Sequence, residues 1–276
     1  MTHTLRVVAL LFAPVLLTAC IFPAPQKPSE SAILPAVDNC AVGCPTGGSD
    51  NLLIRQVYTL NNNGTTKFAN WVAYKITKTS QASGRSRNWR QDPDLPADET
   101  LAPAAYRDAH GALAVDRGHQ APLAGLGGNP DWPALNYLSN ITPQKSALNQ
   151  GPWARLENQE RALANRPDVQ AVYVVTGPLF EQDLGVLPAA PSVKIPSGYW
   201  KVVFIKPGLQ SGQFAAFIME QTVARSANFC DYQVTVSEIE KRTQPALRLW
   251  PALNPDSALW LKNSKGRLAT EEMGCP

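Results

Sequence analysis

The chain is framed by what it lacks. No acidic residue occurs between Asn51 and Gln91, and the stretch from Asp116 to Arg161 has no cysteine and, as aspartates, only Asp116 and Asp131. The second absence removes a cysteine nucleophile from that stretch and argues against the cage of several carboxylates that Ca²⁺ prefers. Histidine is scarce: of 3 in the chain, His3 falls in an N-terminal leader, and only His110 and His119 lie beyond it. There is no G-x-G-x-x-G and no Walker motif, so no nucleotide cofactor is indicated. The net charge of +3 is too small to name a class of partner.

The leader, residues 1–19, has a secretory pattern: Arg6 supplies positive charge and Val7 to Leu17 is apolar, too short a run to span a bilayer. It ends in Leu17-Thr18-Ala19-Cys20, which resembles a bacterial lipobox with cleavage before Cys20 and a lipid on its sulfur. The plainer reading is an ordinary signal cleaved slightly later. Ile21 follows the cysteine, not the Asp that resembles an inner-membrane retention signal, so the expected location is the outer membrane, periplasmic or surface-facing. Residues 20–38 are rich in Pro, Ser and Ala, the composition of an extended spacer. Residues 39–276 read as one domain, long enough for one large core and interrupted by no second linker.

In an exported chain the remaining cysteines read as two disulfides, Cys40–Cys44 closing a small loop and Cys230–Cys275 pinning the C-terminus. A zinc site is the competing reading, but neither His110 nor His119 is near a cysteine in sequence.

Leu52 to Leu60 and Phe68 to Thr77, separated by Asn61-Asn62-Asn63-Gly64, are predicted to form a hairpin. Gln81 to Pro103 is predicted to be a long functional loop carrying Arg85, Arg87 and Arg90. With Arg55, Lys67, Lys75 and Lys78, these arginines form a one-sided basic run. It is either an ordinary solvated face or the footprint for a polyanion. Further strands are predicted at Ala171 to Thr176, Tyr199 to Lys206, Gln213 to Glu220 and Tyr232 to Val236, then a helix over Ser237 to Arg242. Strands flank a central helical region, which gives a mixed α/β domain, α+β-like, with a largely antiparallel sheet.

Within Asp116 to Arg161, His119 has a side chain suited to general-base work near neutral pH; a lone His satisfied in the core is the alternative. Pro152 is acceptable only in a first helical turn, so a helix is predicted from about Gln150, with Trp153, Leu156 and Ala162 facing the core. Asn149, Glu157 and Arg161 would lie along a neighbouring stripe. An amide oxygen plus a carboxylate acting through water suits Mg²⁺, which keeps most of its waters. Alternatively, Asn149 is only a helix cap and Glu157 a surface partner of Arg161.

Asp116-Arg-Gly-His119, Ser139-Asn140-Ile-Thr-Pro-Gln144, Asn149-Gln-Gly-Pro-Trp153 and Leu156-Glu157 together resemble the signature of the Serratia-type DNA/RNA non-specific endonucleases, the sugar-non-specific nucleases of the ββα-metal class. The similarity extends from Asn39-Cys-Ala-Val-Gly-Cys-Pro45 to Met273-Gly-Cys275. It implies a ββα-metal nuclease fold with a central, mainly antiparallel sheet flanked by helices. It also implies one Mg²⁺ per active site and hydrolysis of single- and double-stranded DNA and RNA to 5′-phosphorylated products. By the same resemblance His119 is the general base, Asn149 the direct metal ligand, and Glu157 the residue that holds metal-bound waters. Arg87 falls at the transition-state arginine, Arg117 at its phosphate-binding partner, and Asn140 at a residue positioning the site, with Asp116 and Arg161 in support. The family includes homodimers. Two other classes compete: a catalytically silent DNA-capture lipoprotein, and a phosphodiesterase for small nucleotides.

Overall fold

Leu52 to Leu60, expected as one strand, is two: β1 (Leu52–Ile54) and β2 (Thr59–Asn63). The break is made by Arg55. Its backbone N–H donates to Tyr58 O at 2.9 Å. Its guanidinium donates to Tyr58 Oη at 2.8 Å, Asp92 Oδ1 at 2.6 Å and Asp94 Oδ2 at 2.7 Å. The chain therefore doubles back and β1 pairs antiparallel with β2. The next turn also lies later than predicted. Asn61 to Asn63 are strand residues with a bulge at Asn61/Asn62. The reversal follows over 64–67, where Asn63 Oδ1 accepts from Thr65 and Thr66 N–H before β3 (Phe68–Ile76) begins.

The computed structural model describes Met1 and residues 38–276, so the predicted leader, Cys20 and the tether up to residue 37 lie outside the described residues. After β3 come α1 (Ala109–Leu113), β4 (Val115–His119), α2 (Leu123–Leu126), β5 (Ile141–Lys145), α3 (Ser146–Leu148) and α4 (Ala154–Ala164). The second half holds β6 (Ala171–Leu179), a small ribbon of β7 (Val186–Leu187) and β8 (Ala190–Lys194), then β9 (Gly198–Lys206), β10 (Phe214–Glu220) and β11 (Gln233–Val234). It closes with α5 (Val236–Arg242), α6 (Pro255–Lys262) and α7 (Leu268–Glu272). α5 is capped by Thr235, whose hydroxyl accepts from Glu238 N–H, so the helix starts just before the predicted Ser237.

The main sheet is 7-stranded, in the order β1-β2-β3-β6-β9-β10-β11, and its strand pairs are antiparallel. Its central strands are buried on both faces, which is why they read as continuous apolar runs rather than alternating ones. Period-two alternation divides them between two cores. Val72, Tyr74, Val174, Val203 and Phe217 pack with Trp153, Leu156 and Leu163 on one face. Trp71, Tyr173, Trp200, Val202 and Phe204 pack with Cys40, Leu249, Trp250 and Leu261 on the other. The first face carries α4; the second is the back layer. Both expected disulfides are present, Cys40–Cys44 and Cys230–Cys275, which uses these thiols and removes the zinc reading.

Candidate active site

His119 and Asp116 sit on β4, which pairs with β5 in a separate two-stranded ribbon rather than in the main sheet. The Gln144 side chain lies over Gly118, where an added Cβ would be 2.4 Å from Gln144 Oε1 and 2.7 Å from Gln144 Cβ, so a side chain is disfavoured there. Arg117 and His119, two residues apart, share one side of the ribbon. Trp89 and Tyr106 line that side. The Arg117 guanidinium lies 5.8 Å from the Trp89 ring centre and 5.1 Å from that of Tyr106, and the His119 ring lies 5.2 Å from Trp89.

The proton on His119 is fixed by Asn136. The Ser86 carbonyl can only accept, and it takes Asn136 Nδ2 at 3.0 Å. This turns Asn136 Oδ1, also purely an acceptor, toward His119 Nε2 at 3.3 Å. Nε2 therefore carries the hydrogen and Nδ1 keeps its lone pair. Burial lowers the imidazole pKa from 6.5 to about 4, helped by the charge on Arg87 and opposed by the Asn136 bond. His119 is thus neutral throughout the neutral range, with an unprotonated Nδ1 that can accept a proton.

Asp116 performs the same service for Asn149. Its carboxylate accepts from Asn149 Nδ2 at 3.0 Å, Gln150 Nε2 at 2.8 Å and Ser146 Oγ at 2.7 Å, and lies 3.0 Å from His110 Nδ1. Partial burial opposes ionisation, but these bonds win and hold Asp116 below the usual carboxylate range. With its nitrogen taken, Asn149 presents its amide oxygen, a hard neutral donor suited to Mg²⁺. Among the described residues no cluster of three or more His, Cys, Asp or Glu could hold a metal ion. The donor the pocket offers is instead the single amide oxygen of Asn149, and one hard neutral oxygen fits a divalent ion that keeps most of its waters.

The helix carrying Glu157 starts later than predicted. Residues Asn149–Trp153 form a wide, kinked turn with Gly151 at φ −106°, ψ −117°, and α4 proper begins at Ala154. Pro152 is accommodated in this kink. A Cβ on Gly151 would lie 2.6 Å from Arg225 O. Trp153 and Leu156 face the core as expected, but Ala162 is exposed, and Leu163 and Glu160 take the inward positions. Glu160 is fully buried, accepting from Lys201 Nζ at 2.7 Å and Tyr74 Oη at 3.0 Å. Lys201 also lies 3.9 Å from Glu157 Oε1 and 4.5 Å from the Trp153 ring centre. Burial pushes Glu157 up to about 7, with Lys201 opposing, Glu160 reinforcing and Arg161 opposing.

Arg87 comes from the long loop, which is pinned to the segment before β5. Arg90 N–H donates to Asn136 O at 3.3 Å and Leu138 N–H to Arg90 O at 3.0 Å. Ser139 Oγ donates to Asp92, which also holds Arg55. The result is a pocket of about 460 Å³ lined by Arg87, Trp89, Tyr106, His110, Asp116, Arg117 and Asn149 among others. The basic run itself is not one surface. Arg55 is paired with Asp92 and Asp94, Lys75 with Asp38, and Lys67 donates to the Asp98 carbonyl. Arg85 donates to Gly127 O at 2.7 Å and stacks on Trp132, and Arg90 stacks on Tyr137. Of the basic run only Arg87 lines the pocket, beside Arg117.

A family model for DNA/RNA non-specific endonucleases matches residues 36–256. A nuclease of Serratia marcescens is 58% identical over 244 residues, covering 88% of this chain and 91% of that protein. The chain belongs to the DNA/RNA non-specific endonuclease family. Nuclease C1 of Cunninghamella echinulata var. echinulata is 28% identical over 213 residues, covering 71% of this chain and 81% of its own. A solved EndoG/EndoGI complex shares the fold, with TM-score 0.66 at 20% identity over 79% of this chain and 92% of that one. Like its family, this enzyme is a metal-dependent hydrolase.

Of the predicted residues, Arg87, Asp116, Arg117 and Asn149 line this pocket; His119, which packs on Trp89, and Glu157, on α4, are not among its lining residues, nor are Asn140 and Arg161. Asn140 is fully buried, and its amide is used by backbone: Nδ2 donates to Ala121 O and Leu135 O, and Oδ1 accepts from Ala121 N–H. It ties the chain after β4 to the chain before β5 and offers nothing to a substrate. It acts as a positioning residue, not a catalytic one. Arg161 lies farther along α4 and donates to Asn158. Asn136, Trp89, Tyr106, Glu160 and Lys201 also surround the site residues, although no sequence motif points to them. A polar residue between apolar neighbours was the available signal for Lys201, in Trp200-Lys201-Val202, and for Asn136, in Leu135-Asn136-Tyr137.

Proposed function

We propose that this enzyme is a Mg²⁺-dependent, sugar-non-specific endonuclease that hydrolyses DNA and RNA to 5′-phosphorylated products, using His119 as general base. The observation that carries the reading is the pairing of two fixed side chains. Asn136 leaves His119 with a free basic Nδ1, and Asp116 leaves Asn149 with a free amide oxygen. Asn149 would hold the ion directly and Glu157 would hold its waters; the ion, when bound, supplies positive charge at the phosphate and at the leaving oxygen. His119 Nδ1 takes a proton from the attacking water as its oxygen bonds to phosphorus and the bond to the 3′ oxygen breaks. Arg87 and Arg117 offset the charge that grows on the non-bridging oxygens. The attacking group is water, not a 2′-hydroxyl, so both sugars are substrates. Contacts to phosphate give little sequence preference and a steep salt dependence.

We read the chain as exported and held at the outer membrane through a lipid on Cys20. Metabolic labelling with a palmitate analogue tests this, and an unlabelled protein removes it. For the chemistry, purified protein is incubated with supercoiled plasmid and with RNA, in Mg²⁺ or in EDTA. Both substrates should be degraded in Mg²⁺ and survive in EDTA, and the DNA ends should be ligatable without kinase treatment. Intact substrates in Mg²⁺ would overturn the reading; full activity in His119→Ala would sink the base assignment alone.

A further inference from the structure

The back layer carries an exposed apolar surface that the chemistry does not use. On α6, Ala258 and Leu261 point inward, while Leu259 and Trp260 are 62% and 67% exposed. Leu259 lines a pocket of about 390 Å³ together with Trp250, Pro251, Leu253, Pro255 and Ala258, beside Arg248 and the Lys262–Glu240 ion pair, whose Nζ and Oε1 are 2.7 Å apart. Pro251, Ala252 and Pro255 are themselves exposed. Contiguous apolar patches of this kind on a folded domain mark surfaces of interaction.

The start of the described chain lies against the same segment. Asp38 pairs with Lys75 and Asn39 Nδ2 donates to Arg55 O at 3.0 Å. The Cys40–Cys44 loop packs on Leu249 and Trp250, and Ala252 N–H donates to Val42 O at 3.1 Å. The described chain from Asp38 onward is therefore fixed on the back layer, beside the segment leading into α6. The catalytic helix α4 lies across the sheet, on the opposite face.

We infer that this face of the back layer, with Leu259 and Trp260 at its tip, docks on the lipid surface to which the chain is anchored, so that the catalytic face is turned toward solution. The inference rests on the reading of Cys20 as lipidated. A tryptophan beside aliphatic side chains suits the headgroup boundary, where an apolar ring and a polar nitrogen are both accommodated, and Arg248 stands beside them. A weak surface suffices, because the tether makes docking intramolecular, at an effective concentration on the order of millimolar. Among the described residues no helix is long and apolar enough to cross a membrane, so the contact is peripheral.

The test uses the full lipidated chain reconstituted in phosphatidylethanolamine–phosphatidylglycerol vesicles. A nitroxide is placed by Leu259→Cys on the docking face, or by Ala112→Cys, exposed on α1 near the pocket. Docking predicts that the Leu259→Cys label is relaxed more by oxygen than by an aqueous nickel chelate, with the order reversed at Ala112→Cys. Vesicle-bound protein whose two labels are equally open to nickel overturns docking while leaving the anchor in place. A chain that does not float with vesicles removes the anchor and the docking with it. A Leu259→Cys label already immobilised in detergent, without vesicles, assigns the face to a second copy of the chain and overturns the lipid assignment.

Discussion

Asp116 holds Asn149 by its nitrogen: Asn149 Nδ2 donates to Asp116 Oδ2 at 3.0 Å, and the amide oxygen is left for an ion. Asp116→Ala releases that amide to rotate. The Mg²⁺ concentration for half-maximal activity should rise about 10- to 100-fold, the usual cost of losing a partner that orients a metal ligand. A Mg²⁺ titration of plasmid cleavage measures it, and an unchanged requirement refutes the orienting role.

Asn136 should matter through kcat. Asn136→Leu removes the acceptor that fixes the His119 proton on Nε2, and kcat should fall by about 100-fold or more, within the usual contribution of a positioned base. KM should change little, since Asn136 sits behind the imidazole. Asn136→Asp keeps an acceptor and should recover part of the loss. A variant with altered KM and unaltered kcat would place Asn136 in substrate binding instead.

The depressed pKa of His119 makes stability pH-dependent in a definite direction. Folded and unfolded chains both carry a neutral imidazole above pH 6.5. As pH falls from 6.5 toward 4, the unfolded chain takes up a proton that the folded one does not, and stability is lost across that window. The loss should be at most about 3 kcal/mol, less for the partial exposure of the ring. Urea unfolding at pH 7 and 4.5 should show a smaller difference in His119→Gln than in the parent; equal differences would contradict the assignment.

Glu157, pushed up to about 7, is partly protonated in the metal-free protein near neutrality. On the proposal that Glu157 holds the waters of a bound Mg²⁺ as a carboxylate, a fraction of a proton should be released per ion at pH 6.5. Calorimetry in buffers of different ionisation enthalpy detects this release. It should vanish in Glu157→Gln; persistence there would assign the proton to another group.

Lys201 is a fully buried cation between Glu160 and Glu157. Lys201→Met strands Glu160 without its charge partner and should cost about 3–5 kcal/mol in urea unfolding. Lys201→Met combined with Glu160→Gln should recover most of that stability. A single variant as stable as the parent would show that water or Tyr74 satisfies Glu160.

What was legible in the sequence follows from how local each cause is. β6, β9 and β10 were readable because burial on both faces leaves unbroken apolar runs. The break between β1 and β2 was not, because the turn at Arg55 is held by Asp92 and Asp94, 37 and 39 residues away. The main pocket residues were found through short motifs whose members stand close together. Asn136 escaped because its partner, the Ser86 carbonyl, is 50 residues distant, and Lys201 because Glu160 is 41 residues away. Pro152 pointed to a helix beginning near Gln150, but α4 begins at Ala154, because the wide turn around Gly151 depends on the approach of Arg225, which no local pattern announces. The basic run left two readings open for a related reason: its charges are neighbours in sequence but take different partners, and of them only Arg87 lines the pocket.

The two-faced sheet has a practical consequence. Each central strand lends alternate residues to the catalytic face and to the back layer, so a slip of one residue would exchange Lys201 with Trp200 and ruin both at once. Register is thereby checked twice, and each layer can be altered by itself so long as pairing holds. An affinity tag, surface linker or immobilisation chemistry placed on α6 would leave the cleft unobstructed. The same attachment on the loop carrying Arg87 would block it.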